Sequence, residues 1–212
     1  MFAHIRKFAN PDKAMQMSAY MRDQFLFLGI PKPELSKLAA PYQKSMPANS
    51  IDWDFVFECW DAKEREFQYI AKDYLSLRRD VLMPTDVPIL RKLAINKSWW
   101  DTVDGLDVII GDIALRHPSI NETLLKWSTD KNFWLRRIAI DHQLNRKEKT
   151  DTELLEQIIQ NNFGESEFFI NKAIGWALRE YSKTNPDWVR DFIKRHKSEL
   201  APLSLREASK YI

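Results

Sequence analysis

One cysteine, Cys59, stands in 212 residues, and glycine is nearly as scarce at five. A lone thiol excludes a disulfide framework and any cysteine-based metal site, and it suits a reducing compartment, so a cytoplasmic location is expected. The four histidines, His4, His117, His142 and His196, are scattered. None forms a His-x-x-x-His pair or a His–carboxylate set with ligand spacing, so no metal and no cofactor is expected. A Gly-rich phosphate loop, a nucleophilic serine motif and a dinucleotide fingerprint are missing too. No apolar run reaches the length of a signal peptide or a membrane span, which argues against export and against a membrane partner. Charge of one sign is also lacking: 32 Lys and Arg against 30 Asp and Glu leave a formal net charge of +2. That total removes a uniformly basic surface, but it can hide a one-sided patch.

Apolar residues recur at i, i+3 and i+4 almost everywhere, and no alternating run is long enough for a convincing strand. The pattern predicts about a dozen helices of roughly ten to eighteen residues. Prolines fall between periodic segments, as at Pro31, Pro84, Pro118 and Pro186. Asn10-Pro11-Asp12, Pro84-Thr85-Asp86, Thr150-Asp151-Thr152-Glu153 and Asn185-Pro186-Asp187 each supply a capping side chain or an N1 proline at a helix start. Ala71, Gly105, Ala139 and Ala173 recur every 34 residues, each following an aromatic cluster. Small residues at equivalent positions suit close helix stacking. A period of that size predicts an all-α fold, a curved α-solenoid of HEAT-like helical hairpin repeats, built as a single domain over 1–212.

The most informative stretch is Ser98-Trp99-Trp100-Asp101-Thr102-Val103-Asp104-Gly105. On a helix, Trp100 and Asp104 share a face four residues apart. A carboxylate held against apolar surface costs several kcal/mol unless something pairs with it. The pair therefore points to a cleft whose visitor is cationic, while the plainer alternative makes one indole core and leaves the Asp solvated. If the second helix of each hairpin lines the concave side, Arg137, Phe169, Lys172, Trp176 and Arg179 join Trp100 and Asp104 in one groove. Aromatics interleaved with Arg and Lys suit stacking plus phosphate contact. Phe169 can equally belong to an apolar stripe facing the next helix. Asp101 and Asp107 are read as carboxylates that cap, pair or sit in solvent, His142 as a helix-face histidine rather than a general base, and the runs Glu64-Arg65-Glu66 and Arg146-Lys147-Glu148-Lys149 as solvated faces or helix ends.

Three separated motifs carry a family resemblance: the stretch from Ser98 to Asp104, then Trp134-Leu135-Arg136-Arg137-Ile138-Ala139-Ile140, then the run from Glu167 through Phe169, Lys172, Trp176 and Arg179 to Tyr181. In this order they resemble the DNA alkylation repair enzymes, HEAT-like-repeat alkylpurine DNA glycosylases. Tyr20-Met21-Arg22 and Leu200-Ala201-Pro202-Leu203-Ser204 extend the likeness toward both ends. The resemblance implies an all-helical solenoid whose basic concave face holds double-stranded DNA as a monomer. It also implies hydrolysis of the N-glycosidic bond of purines alkylated at N3 or N7. The implied catalytic residues match Trp100, Asp104 and Trp176, with Arg137 as basic companion at the lesion. Tyr20, Lys172 and Arg179 match positions around the cleft or along the DNA backbone. Asn145 stands where a basic residue is expected, although Arg146 and Lys147 follow at once.

The chemistry fits those residue types. An N3- or N7-alkylated purine is already cationic, and breaking its glycosidic bond moves the charge onto the sugar. A fixed carboxylate such as Asp104 stabilises that developing cation, and indole faces add about 0.5–2 kcal/mol each. Arg137 would oppose the chemistry unless it binds phosphate or pairs with Asp104; the sequence leaves both open. The competing function is a non-catalytic helical-repeat scaffold that binds DNA or protein.

Overall fold

The computed structural model describes residues 1–212. The chain is all-α, with thirteen helices and no sheet; the one extended pairing is an isolated bridge between Leu26 and Glu64. Helices are shorter than the periodicity suggested, running from five residues at the N-terminus to 17 in the longest. The expected caps are in place: Asn10 accepts from Lys13 N at 3.1 Å, Asp151 from Leu154 N at 3.0 Å and Asn185 from Trp188 N at 3.1 Å. Each satisfies a backbone donor that the first helical turn leaves open. No helix is long and apolar enough to cross a membrane.

The helices fall into two compact units, Met1–Leu82 and Met83–Ile212. The first holds α1 (Phe2–Arg6), α2 (Pro11–Tyr20), α3 (Lys32–Ser45), α4 (Trp53–Asp61) and α5 (Arg65–Leu77). Its core includes Trp60, Phe67, Ile70 and Tyr74. Here the charge run Glu64-Arg65-Glu66 departs from its reading as a solvated face, because Arg65 and Glu66 are fully buried. Glu66 accepts the backbone N–H groups of Leu28, Gly29 and Ile30. A carboxylate with three such donors has its burial cost met.

The second unit holds α6 (Val87–Ala94), α7 (Trp100–Arg116), α8 (Asn121–Trp127), α9 (Phe133–Asp141), α10 (Thr152–Gln160), α11 (Phe168–Ser182), α12 (Pro186–His196) and α13 (Pro202–Ala208). Helices α7, α9, α11 and α13 lie side by side in that order, while α6 packs on α7, α8 and α10 on α9, and α12 on α11. Gly105, Ala139 and Ala173 sit on α7, α9 and α11, and Ala71 sits on α5 of the first unit. The tightest approaches use other small residues. A Cβ on Gly111 would stand 2.1 Å from the His142 carbonyl oxygen, and one on Gly175 would stand 2.5 Å from Glu207 Cβ. Glycine thus sets the α7–α9 and α11–α13 spacings.

Candidate functional site

Helix α7 starts at adjacent indoles that go to different tasks. Trp99 is extended (φ −159°, ψ 160°) and caps the helix, its carbonyl accepting from Thr102 N and Val103 N. Its ring joins Trp134 at 5.9 Å and Phe169 at 5.3 Å. Phe133 and Phe168 complete this aromatic cluster through Phe169. Phe169 therefore takes the apolar-stripe alternative, and Trp99 is the packed indole. Trp100 opens the helix half-buried, one turn before half-buried Asp104.

Arg137, on α9, decides the electrostatics of Asp104. Its side chain is 1% exposed, against 25% for that of Asp104. Nε donates to Asp104 Oδ1 and Nη2 to Asp104 Oδ2, both at 2.7 Å. This is the two-pronged geometry in which guanidinium–carboxylate pairs are strongest. Nη1 donates to the Phe169 carbonyl at 2.8 Å, and the guanidinium carbon lies 5.3 Å from the centre of the Trp176 ring. Of the two roles left open for Arg137, the ion pair with Asp104 is the one seen. Burial works against its charge, but Asp141, Asp104 and Asp107 more than compensate, and its pKa is raised.

Two further carboxylates stand behind this pair. Asp107 is 2% exposed, as is Asp141, and Asp141 Oδ2 lies 3.7 Å from Arg137 Nη2. Neither Asp141 oxygen has a hydrogen-bond partner, nor does Asp107 Oδ1. Burial pushes the Asp141 carboxyl up to about 7 against the pull of Arg137. Burial and the neighbouring Asp141 and Asp104 carboxylates raise Asp107 well above the usual range. Of the roles left open for Asp107, capping and solvation are ruled out: it is a core group within α7. Oxygens of Asp104, Asp107 and Asp141 come within 4.8 Å of one another, a spacing that suits a hard cation. The guanidinium of Arg137 already supplies a positive charge there. His142, read as a helix-face histidine, is buried at 3% exposure. Its Nδ1 meets the Ala139 carbonyl at 2.6 Å, and burial holds its pKa down at about 3.

On α11, Trp176 is half-buried and surrounded by cations. Besides Arg137, Lys172 Nζ lies 5.6 Å and the Arg179 guanidinium carbon 5.8 Å from its ring centre. Both are anchored from α13 by buried Glu207, which accepts from Lys172 at 2.8 Å and from Arg179 and Lys210 at 2.7 Å. Hydrogen bonds from Lys172 and Lys210 hold the Glu207 carboxyl down at about 2. Gly175 makes this possible, since its missing Cβ admits the Glu207 stem between Lys172 and Arg179.

The structure thus brings together Trp176, Asp104, Arg137, Lys172, Arg179 and the Phe169 carbonyl. Arg146 is elsewhere engaged: its Nη2 donates to the Gly111 carbonyl at 2.8 Å and its Nη1 to Gln143 Oε1 at 3.1 Å. Asn145 and Lys147 adopt left-handed backbone, with φ of 66° and 53°, and both are exposed. Tyr20 lies in the first unit, 70% exposed, beside a cavity of about 210 Å³ lined by Met17, Met21, Phe27 and Tyr69. Sequence reading missed Asp141, Asp107 and Glu207. The i, i+4 spacing of Arg137 and Asp141 was the available signal for the first; nothing local marked Glu207.

A family model described as DNA alkylation repair enzyme matches residues 1–212. Among solved structures, a predicted DNA alkylation repair enzyme from Enterococcus faecalis is 38% identical with a TM-score of 0.89, covering 96% of each chain. No curated protein matches.

Proposed function

Because the chain belongs to the DNA alkylation repair enzyme family, whose activity is directed at DNA, we propose that it is a glycosylase that excises purines alkylated at N3 or N7 from double-stranded DNA, the first step of base excision repair. The observation that carries this reading is the solvent-accessible Asp104 carboxylate, fixed by buried Arg137 beside the cationic rim of Trp176. The lesion arrives cationic. Its C1′–N9 bond breaks with the electron pair leaving on the base, which departs neutral, and the sugar becomes an oxocarbenium-like cation. Water adds at C1′, and its proton passes to Asp104 or to solvent.

Asp104 stabilises the charge as it develops, a gain made in the transition state and absent from the ground state. At about 4 Å and an effective dielectric of 20, such a pair is worth on the order of 4 kcal/mol before desolvation. Trp100 and Trp176 add π faces that favour a cation over neutral sugar. DNA runs along the side of α7, α9 and α11 that carries these groups, with Lys172 and Arg179 near its phosphates. Lys147 extends that contact, in the manner of a HEAT-like repeat; Tyr20 offers the first unit a DNA contact of its own, and the protein acts as a monomer in the cytoplasm.

The test is incubation of the intact protein with a duplex carrying one N7-methylguanine, followed by abasic-site detection. Abasic sites above the spontaneous level are expected. Their absence, with duplex binding retained, would leave the non-catalytic scaffold as the better reading.

A further inference from the structure

Paired with Arg137, Asp104 is quenched. Both of its oxygens are committed to Arg137, and a carboxylate neutralised by a guanidinium exerts little net field on a sugar cation. Any use of Asp104 as an anion requires Arg137 to be drawn aside. Pulling a fully buried guanidinium from the one carboxylate it hydrogen-bonds is costly unless a second carboxylate receives it. The structure holds one: Asp141 Oδ2 is 3.7 Å from Nη2, just beyond hydrogen-bonding range. Nη2 spends one N–H on Asp104, so a second is available. Both Asp141 oxygens are unpartnered although the side chain is 1% exposed.

We propose that Asp141 is a positioning residue that offers Arg137 an alternative anionic seat and thereby sets how much of the Asp104 charge faces the substrate. This rests on the glycosylase reading for its consequence, although not for its geometry. With Asp141 protonated, Arg137 belongs to Asp104. With Asp141 ionised, the guanidinium is shared and Asp104 regains negative charge toward the cleft. The charged groups facing Asp141 are Arg137 on its own helix and Asp104 and Asp107 across on α7; α11 contributes the Phe169 carbonyl to the same guanidinium. Burial and the Asp104 carboxylate oppose ionisation of Asp141, and Arg137 favours it. The carboxyl of Asp141 titrates at about 7, which places the exchange at neutral pH.

Two readouts test this, over roughly pH 5.5 to 8.5. The first is the Arg137 Nε–H resonance in the DNA-free protein, followed by ¹H–¹⁵N spectroscopy in the unmodified chain and in Asp141→Asn. The unmodified resonance should move with a midpoint near 7. In Asp141→Asn, which mimics the protonated acid and so keeps the fold, it should not move. The second readout is single-turnover excision of N7-methylguanine. It should rise by about tenfold across the same midpoint in the unmodified protein, and stay at the low-pH level in Asp141→Asn with unchanged affinity for undamaged duplex. A resonance that titrates unchanged in Asp141→Asn would overturn the proposal. Loss of excision from every form, with the resonance behaving as expected, would sink the glycosylase reading alone.

Discussion

Trp176 shows why single side chains here are tied to their neighbours' charge. Arg137, Lys172 and Arg179 all lie within 6 Å of its ring, each contact being worth about 0.5–2 kcal/mol. A cationic lesion approaching this face meets an indole already polarised by residents, so Trp176→Ala should slow excision by about tenfold while changing affinity for undamaged duplex little. An equal loss in both, measured by single-turnover kinetics and anisotropy, would make the indole a general DNA contact. Two buried groups bear on stability with opposite sign. Asp141 titrates at about 7 in the fold and about 3.9 unfolded, so the native state binds more protons between those values and stability falls as pH rises through them. His142 titrates at about 3 in the fold and about 6.5 unfolded; the unfolded state binds more protons, and stability falls as pH drops through that window. Where the windows overlap the two slopes offset, so melting temperature should gain a steeper acid limb in Asp141→Asn and a steeper downward limb toward neutral pH in His142→Asn. Unchanged limbs would mean that other groups carry them.

At the scale of helices, capping and periodicity were legible because they are local. Asn10, Asp151 and Asn185 cap where the sequence placed them, since a helix start is written in four consecutive residues. The helix contacts were less legible. A repeat of small residues drew attention to Gly105 and Ala139, whereas the spacing of α7 and α9 is limited by Gly111 against the His142 carbonyl. Such a contact lies between residues far apart in the chain and leaves no periodic trace. Gly111→Ala sets two effects against each other. Alanine gains about 1 kcal/mol of helix propensity, but a Cβ placed 2.1 Å from a backbone carbonyl cannot be accommodated by turning a side chain. Overpacking of this kind costs about 1–3 kcal/mol, and backbone cannot yield as a flexible tip can. A lowered urea midpoint is expected; a raised one would show that α7 and α9 shift apart without loss.

Over the whole molecule, the near-zero net charge conceals how the positive groups are arranged. Lys172, Arg179 and Lys210 converge on Glu207, so three cations are held in place by one buried anion and keep a local excess of positive charge. The sequence supplied Lys172 and Arg179 but not Glu207, because its role depends on α13 docking against Gly175. If this cluster meets DNA phosphates, Lys172→Ala should flatten the slope of log affinity against log salt by about one unit. Glu207→Gln should steepen it by a similar amount, as a charge repelling the polyanion is removed. Slopes that do not move would take the cluster off the interface. The same distinction applies to the cleft: Trp100, Asp104, Arg137 and Trp176 were legible as residue types, while the ion pair that quenches Asp104 and the acid behind it required the stacking of α7 on α9. The most direct test compares two carboxylates on α7 by single-turnover excision of N7-methylguanine from duplex DNA. Asp104→Asn keeps shape and removes charge, and the rate should fall by about two orders of magnitude or more, whereas Asp101→Asn, three residues earlier, should retain most of it. A rate unaffected by Asp104→Asn would contradict the assignment of Asp104 as the group that stabilises the sugar cation.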